Sequence, residues 1–269
     1  MSVRTSALKY SSLVGIAVRE TLHYPNKAIT ELFSTAVRLG VLLILYSYAY
    51  RYFGKDVGGI SVQTACWSIA MYFILLSLQA RHLFHAIDTD IVSGVIETLV
   101  NKPFNYVGYR IALIFGRNLP GLLMTLFGSV IILMLTVGVP SVNITPLWSL
   151  EVLLLALLGL TLAYLIYAII GMSTFWLNNG KPLYWLSDKA VMILGGAFIP
   201  VALFPEIIKL VAKYSPFGAT MFFSYIFYPS FPAEAPMLIS LQIGWIVLAA
   251  IAIRYIYRAA QRKLTINGG

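Results

Sequence analysis

The residues that decide the fold are 152–176, which read VLLLALLGLTLAYLIYAIIGMSTFW and contain no Asp, Glu, Lys or Arg. A helix needs about 20 apolar residues to cross a hydrocarbon core that is roughly 30 Å thick. Charge-free stretches also occur at residues 60–80, 119–139 and 235–253. Because only helices and closed barrels satisfy their backbone groups in lipid, these runs predict an all-α, polytopic membrane protein.

The composition of the whole chain supports this interpretation. Of the 269 residues, 59% are apolar and only 11% are charged, whereas a soluble domain carries roughly 25% charged residues. So few charges cannot cover a surface that faces water, which excludes a soluble enzyme. The single cysteine, Cys66, also excludes an internal disulfide framework and a cysteine-rich metal site.

Two less regular segments complete a predicted set of six spans. Residues 31–50 are long enough but include Arg38, and residues 190–204 are charge-free but short. The predicted spans cover residues 31–51, 60–82, 117–139, 150–176, 188–204 and 235–256. They form one membrane domain over residues 28–263, followed by a tail at 264–269.

The basic residues between the spans indicate the orientation of the chain. There are 19 Lys and Arg against 10 Asp and Glu, giving a net charge of +9. If the N-terminus is cytoplasmic, 14 of the basic residues lie inside, four lie outside, and Arg38 lies within a span. Cytoplasmic loops carry the excess of Lys and Arg. Both termini are therefore predicted in the cytoplasm, and the charge excess does not indicate a nucleic-acid partner.

Residues 1–27 are predicted to form an amphipathic helix at the cytoplasmic interface of the membrane. The apolar face of this helix would consist of Tyr10, Leu13, Val14, Ala17, Val18 and Leu22. Lys9 and Arg19 lie on the opposite face. A flexible leader is the alternative, whereas a short apolar run ending at Arg19 does not fit a signal peptide.

The chain lacks the groups that nucleotide hydrolysis or ion coupling requires. Neither glycine–lysine pair, at residues 54–55 and 180–181, is followed by the Ser or Thr of a Walker phosphate loop. His82 and His85 are spaced three apart but have no third ligand nearby, so no metal site is predicted. Few ionisable groups fall within the spans, which argues against proton or sodium coupling.

The predicted cytoplasmic loop at residues 81–117 contains an amphipathic segment. Asp88, Thr89 or Asp90 can cap a helix there, and Pro103 ends it. The apolar residues of the segment form a continuous stripe of Ile91, Val92, Val95, Ile96, Leu99 and Val100. Such a stripe must be buried against the bundle, a partner or the membrane interface.

This segment resembles the signature S-G-x-[LI]-[DE]-x-[LY]-L-x-[KR]-P, which follows the second span of ATP-binding-cassette (ABC) type 2 exporter permeases. Residues 93–103, SGVIETLVNKP, match it, except that Asn101 stands before Lys-Pro where the family often has an Arg directly before Pro. Residues 203–205 (LFP) and 214–217 (YSPF) are similar to the family's region between spans five and six. The basic end at residues 254–263 also fits.

The resemblance implies a transport subunit that is driven by separate ATPase subunits. Two copies of a nucleotide-binding subunit would hold ATP and Mg²⁺, and they would push on a coupling helix at residues 91–100. The implied coupling residues are Asp90, Ile91, Ser93, Gly94, Ile96, Glu97, Leu99, Lys102 and Pro103. A second permease chain, identical or sibling, would pair with this one so that spans one, two and five surround a substrate path.

The substrate path is predicted from the few polar and aromatic residues of the spans. Glu31 and Arg38 lie seven residues apart, two turns along one helix face. Either Arg38 reaches back to the cytoplasmic boundary while Glu31 contacts Lys27, or both face a cavity and contact a polar group of the substrate. The candidate path residues are Glu31, Arg38, Tyr46, Trp67, Tyr72 and Phe198.

The predicted external segment at residues 204–236 is rich in proline and aromatic residues. Residues 205–214 are expected to form a short amphipathic helix. The aromatic run after Pro216 is too apolar for water and too broken for a span, so a re-entrant or interfacial hairpin is predicted. It forms either an aromatic belt or an exit gate. The candidate gate residues are Phe204, Phe217, Phe222 and Phe223.

The sequence therefore predicts the permease subunit of an ATP-driven exporter in a prokaryotic plasma membrane, surrounded by membrane lipids and binding no cofactor itself. A lining of aromatic and aliphatic side chains favours a hydrophobic or amphiphilic substrate. An ion-coupled secondary transporter and a membrane-embedded lipid-modifying enzyme are the alternatives. The cargo and the identity of the second permease chain stay open at this stage.

Overall fold

The computed structural model describes residues 3–267 except 25, 55, 103, 141 and 178. Within this part of the chain the helices are α1 (Val3–His23), α2 (Asn26–Phe53), α3 (Val62–Leu76), α4 (His82–Val92), α5 (Val95–Val100), α6 (Tyr106–Thr136), α7 (Pro146–Met172), α8 (Lys181–Leu194), α9 (Glu206–Tyr214), α10 (Pro216–Ala219) and α11 (Phe231–Asn267). Three short 3-10 helices lie at Ser173–Phe175, Val201–Leu203 and Phe222–Tyr225. Strands β1 (Asp56–Val57) and β2 (Ile60–Ser61) form a small antiparallel hairpin. The predicted all-α class is confirmed.

Four of the described helices, α2, α6, α7 and α11, are long and apolar enough to cross a membrane. They coincide with the first, third, fourth and sixth predicted spans. Helix α6 starts at Tyr106, well before the predicted start near residue 117, so the end of the predicted cytoplasmic loop is helical. The early start has a local cause, because the Asn105 side chain caps the helix by accepting a hydrogen bond from Gly108 N–H at 2.9 Å.

The second and fifth predicted spans are shorter than expected. Helix α3 ends at Leu76, whereas the span was predicted to continue to residue 82, because Gln79 has a φ of 52° and turns the chain. The carbonyl of Leu78 at this break accepts hydrogen bonds from Asn118 Nδ2 and from the Tyr164 hydroxyl, each at 3.3 Å. Helix α8 ends at Leu194, before the predicted limit at residue 204. Helix length within the described residues thus supports four spans directly.

Helix α3 lies in the centre of the bundle, and nearly all its residues are buried. It packs against α2, α6 and the 3-10 helix at Phe222–Tyr225. Ser68 on α3 donates a hydrogen bond to the Tyr228 hydroxyl at 2.9 Å, with both side chains buried. Such pairing is required because an unpartnered polar group inside an apolar bundle is destabilising.

Helix α1 packs beside the first half of α6. The Tyr10 hydroxyl accepts a hydrogen bond from Asn105 N–H at 3.2 Å. Gly116 permits close contact, because a Cβ there would lie 2.7 Å from the carbonyl oxygen of Val14. Most of the predicted apolar face turns toward α6, whereas Leu22 is exposed. The placement of this helix at the membrane interface stays a prediction.

The segment after α9 folds back into the bundle. Helix α9 occupies Glu206–Tyr214, as expected. Phe222 and Phe231 are fully buried, so the prediction of an outward-facing aromatic belt is wrong for these two side chains. Gln242 on α11 donates a hydrogen bond to the Ala219 carbonyl at 2.8 Å, which holds the chain before Phe222 against α7 and α11.

Candidate coupling surface and substrate groove

The chain between α4 and α5 forms an exposed turn. Helix α4 ends at Val92, where the Ser93 hydroxyl donates a hydrogen bond to the Thr89 carbonyl at 2.7 Å. Gly94 follows with a φ of 75°, a conformation that glycine adopts without steric penalty. The prediction of one helix over residues 91–100 is therefore wrong. The predicted caps are also wrong, because residues 88–90 lie inside α4.

The predicted apolar stripe is divided between two environments. Ile96 is only 1% exposed, Leu99 is buried, and both pack into the bundle, whereas Val92 is 75% and Val95 46% exposed. Glu97 is exposed beside them. We call residues 92–95 together with Glu97 the tip. The tip combines an apolar surface with one carboxylate, and contacts within the described chain do not cover it.

A buried ion pair holds the two sides of the tip together. Asp90 on α4 is 5% exposed and accepts hydrogen bonds from the Tyr106 hydroxyl at 2.5 Å and from Arg110 Nε at 2.7 Å. Arg110 Nη2 pairs with the other carboxylate oxygen, so the contact is bidentate. Because Tyr106 and Arg110 belong to α6, the pair links the helix before the tip to the helix after α5.

Helix α4 is also attached to the ends of α7 and α8. The Thr174 hydroxyl donates a hydrogen bond to Asp88 at 3.0 Å, and the Phe84 ring stacks on Tyr184 with 4.5 Å between the ring centroids. His85 contacts Tyr184 edge-on. Burial lowers the pKa of His85, so its imidazole is neutral near pH 7.

The last part of the predicted coupling segment is exposed. The Asn101 side chain donates a hydrogen bond to the Glu97 carbonyl at 3.0 Å, which satisfies the C-terminal end of α5. Lys102 is exposed as well. Pro103 lies outside the described residues.

A second region of interest is a groove of about 410 Å³ between α2, α3 and the chain of α8 and its continuation. Its lining residues are Val37, Arg38, Val41, Leu42, Tyr72, Phe73, Leu76, Arg81, Met192, Ala197 and Phe198. The groove thus brings together three of the six predicted path residues, Arg38, Tyr72 and Phe198. The Arg38 guanidinium lies 5.9 Å from the centroid of the Phe73 ring, a cation–π distance.

The other predicted path residues lie elsewhere. Tyr46 is buried, and its hydroxyl donates a hydrogen bond to the Phe198 carbonyl at 2.6 Å, so it supports the groove from behind its lining. Trp67 donates to the Gly138 carbonyl at 2.8 Å, away from the groove.

Glu31 is also separate from Arg38. It accepts a hydrogen bond from Gln79 Nε2 at 2.9 Å and lines a small cavity with Asn118 and Arg117. The prediction that Glu31 and Arg38 face one cavity is therefore wrong. The alternative contact of Glu31 with Lys27 involves a side chain outside the described part of the structure.

A comparison with known protein families identifies the family of this chain. Residues 36–268 match the family model described as ABC-2 family transporter protein. The chain belongs to this family. The resemblance inferred from residues 93–103 is thus confirmed, while a comparison with curated proteins found no match. ABC-2 permeases are membrane transport subunits that normally pair with a separate ATP-binding subunit, which accounts for the missing Walker loop.

The predicted gate residues of this ABC-2 permease do not form one surface. Phe222 and Phe223 are buried, whereas Phe204 and Phe217 are partly exposed. A pocket of about 280 Å³ lies nearby, lined by residues that include Lys209. The four gate candidates are not among the described residues that line this pocket, so the pocket does not support their grouping.

Two features of the ABC-2 permease were missed at the sequence level. Arg81 was assigned to the cytoplasmic loop, although it faces the groove together with Arg38. A signal was present, because the first two predicted spans are antiparallel and both arginines lie near the ends that were predicted to face the cytoplasm. The pairing of Asp90 with Arg110 was also missed, since no regular spacing connects them. Within the described residues there is no group of three side chains suited to a metal ion.

Proposed function

We propose that this ABC-2 permease is the membrane subunit of an exporter that moves a hydrophobic or amphiphilic substrate across a prokaryotic plasma membrane. Two such chains, identical or sibling, would assemble with two ATPase subunits that hold ATP and Mg²⁺. The observation that carries this proposal is the tip, an exposed apolar and acidic surface at the turn between α4 and α5. Such a surface suits docking into a groove of a soluble partner.

Contacts at the two ends of the bundle support six crossings. Gly58 lies against Leu203, which brings the loop after α2 to the same end as the chain that follows α8. Asp88 contacts Thr174 at the opposite end, where the tip lies. Between these ends the chain passes through α3 and α4 in one direction and through α8 and residues 195–203 in the other, and neither α3 nor α8 covers the distance alone. A buried helix with tilted or non-helical extensions can span the bilayer where neighbouring protein surrounds it.

The packing of α1 and α11 on α6 supports a position of both chain ends on the side of the tip. The Tyr10 hydroxyl contacts Asn105, and Tyr257 near the end of α11 hydrogen-bonds to the backbone of Tyr106. This arrangement agrees with the excess of basic residues predicted for the cytoplasmic side. The tip and both termini would then face the cytoplasm, where an ATPase subunit can reach them.

The proposed mechanism follows from the connections of the tip. ATP binding would draw the two ATPase subunits together and displace the tip of each permease. Because Asp90 joins α4 to α6 and α4 also contacts α7, the displacement would move these helices as a unit. A shift of packed helices between two arrangements can open a path on alternate sides of the membrane.

The path would run along the face formed by α2, α3 and α8. Helix α2 carries an exposed apolar stripe with helical spacing, made up of Val37, Val41, Ile44 and Tyr48. This stripe borders the groove, which Val37 and Val41 also line. We assign the seam between two permease chains to this face, since a symmetric dimer presents the same surface on both partners.

Co-purification of the full chain with an ATPase subunit tests the proposed function. Glu97→Arg and Gly94→Trp should each reduce recovery of the ATPase at least tenfold without lowering the amount of permease in the membrane. Glu206→Arg is the matched control, because it reverses an exposed charge on α9 at the other end of the bundle. Transport by the reconstituted chain alone, driven by an ion gradient and indifferent to ATP, would contradict the proposal.

A further inference from the structure

The charge pattern of the groove points to a class of substrate. We propose that the groove binds a single-chain amphiphile with an anionic head group, and that Arg38 and Arg81 hold the head while the apolar wall holds the chain. This inference rests on the proposed function and narrows its substrate.

The described lining of the groove has two kinds of residue. Nine of its eleven residues are aliphatic or aromatic, the other two are Arg38 and Arg81, and none is Asp or Glu. Ligand pockets of roughly 300–1,000 Å³ are mostly apolar with a few polar groups that fix orientation, and this groove, at about 410 Å³, has that character. Because this lining carries two arginines and no carboxylate, it disfavours a substrate with a cationic head group.

The carboxylates on neighbouring helices are engaged elsewhere. Glu31 accepts a hydrogen bond from Gln79, and Asp188 accepts one from Tyr167 at 3.0 Å and lies 3.8 Å from Lys189. Gln79 also accepts a hydrogen bond from Arg81 Nε at 3.1 Å. This hydrogen bond at Nε fixes the orientation of the Arg81 side chain. Among the described residues, no carboxylate lies within ion-pair distance of either groove arginine.

Two unneutralised guanidinium groups on one apolar wall favour an anion over the other possible occupants. Arg38 is exposed and Arg81 is partly exposed, so a carboxylate or phosphate in the groove can reach each guanidinium and pair with it through two parallel hydrogen bonds. A second copy of this chain does not supply that charge, because a symmetric partner would bring its own Arg38 and Arg81 to the same seam. A neutral amphiphile would satisfy the apolar wall but leave both cations unpaired.

Equilibrium binding to the purified full chain tests the inference. The chain is placed in phosphatidylcholine nanodiscs and titrated with radiolabelled dodecyl phosphate, with empty nanodiscs giving the background. Dodecyltrimethylammonium and dodecyl maltoside are the cationic and neutral competitors of equal chain length. We expect dodecyl phosphate to bind at least tenfold more tightly than either competitor. Equal or tighter binding of the cationic amphiphile would overturn the proposal.

Matched variants show which side chains contribute to the binding of dodecyl phosphate. Arg38→Gln and Arg81→Gln should each weaken dodecyl phosphate binding at least tenfold and leave dodecyl maltoside binding unchanged, which also shows that the variants are folded. Arg38→Lys keeps the charge but not the two parallel hydrogen bonds, so it should weaken binding less than Arg38→Gln. Arg51→Gln is the control, because Arg51 is exposed at the other end of α2. Unchanged affinity for dodecyl phosphate in both glutamine variants would overturn the proposal. If neither variant folds, the preference of the unmodified chain for dodecyl phosphate over the two competitors tests the proposal.

A final competition experiment distinguishes a transported amphiphile from a lipid of the bilayer. Adding phosphatidylglycerol to the nanodiscs should not displace dodecyl phosphate, and displacement at equal concentration would show a lipid site and overturn the proposal. Failure of this inference can be distinguished from failure of the proposed function. Loss of anion selectivity with normal ATPase recovery refutes only the inference, whereas failure of the unmodified chain to recover an ATPase refutes the proposed function.

Discussion

At the scale of single residues, the pairing of Asp90 with Arg110 is the contact on which the geometry of the tip most depends. The carboxylate accepts three hydrogen bonds, two from Arg110 and one from Tyr106. Both partners are largely buried, so removal of either one leaves an uncompensated charge or donor. The pair therefore fixes the tip to α6 and stabilises the fold at the same time.

We predict that Asp90→Asn lowers the free energy of unfolding by roughly 3 kcal/mol, as expected when one partner of a buried ion pair is neutralised. Thermal unfolding of the purified chain measures this loss. Glu20→Gln is the control, because the pair of Glu20 with Arg117 is about half exposed and exposed pairs contribute at most about 1 kcal/mol. Equal stability losses in the two variants would show that the buried pair has no special role.

The residues of the groove show what a sequence can and cannot reveal at this scale. Arg38 and Tyr72 were predicted because charged and aromatic residues are conspicuous within apolar spans. Glu31 was grouped with Arg38 by helical spacing alone, yet a hydrogen bond from Gln79 directs it into another cavity. Gln79 itself adopts a positive φ, which is uncommon outside glycine, and nothing in its chemical type predicts that conformation.

At the scale of secondary-structure elements, the long helices and the amphipathic helix α9 were predictable, whereas the break between α4 and α5 and the early end of α3 were not. Apolar runs above about 20 residues identify a span by length alone. The stripe over residues 91–100 has regular helical spacing on both sides of Gly94, so its periodicity does not show the break. Helix α3 is short because the chain turns at Gln79, whereas the charge-free sequence continues to residue 80 and does not show the turn.

The contact of α1 with α6 gives a prediction at the scale of these elements. Gly116→Ala should separate α1 from α6, because the new Cβ would lie 2.7 Å from the Val14 carbonyl oxygen and 2.8 Å from the Ala17 Cβ. Limited proteolysis should then cleave α1 several times faster than in the unmodified chain. Gly40→Ala makes the same change in α2, where nothing lies within 4 Å, and should leave the cleavage rate unchanged. Similar rates for all three proteins would contradict the packing.

At the scale of the whole molecule, the number of crossings determines which surfaces can meet an ATPase. Four of the described helices satisfy the length criterion alone. If only these four crossed the membrane, the chain between α2 and α6, which includes the tip, would lie outside the cell. The six-crossing arrangement instead places the tip in the cytoplasm and α9 outside.

Single cysteines distinguish these two arrangements directly. In a Cys66→Ala background, Glu97→Cys places a thiol on the tip and Glu206→Cys places one on α9, and both positions are exposed. With six crossings, a membrane-impermeant maleimide should label Glu206→Cys in intact cells and Glu97→Cys only after the membrane is permeabilised. With four crossings, Glu97→Cys would be labelled in intact cells, because one crossing at α2 would carry the tip outside. That result would remove the tip from any cytoplasmic ATPase, so this measurement tests the topology and the coupling mechanism together.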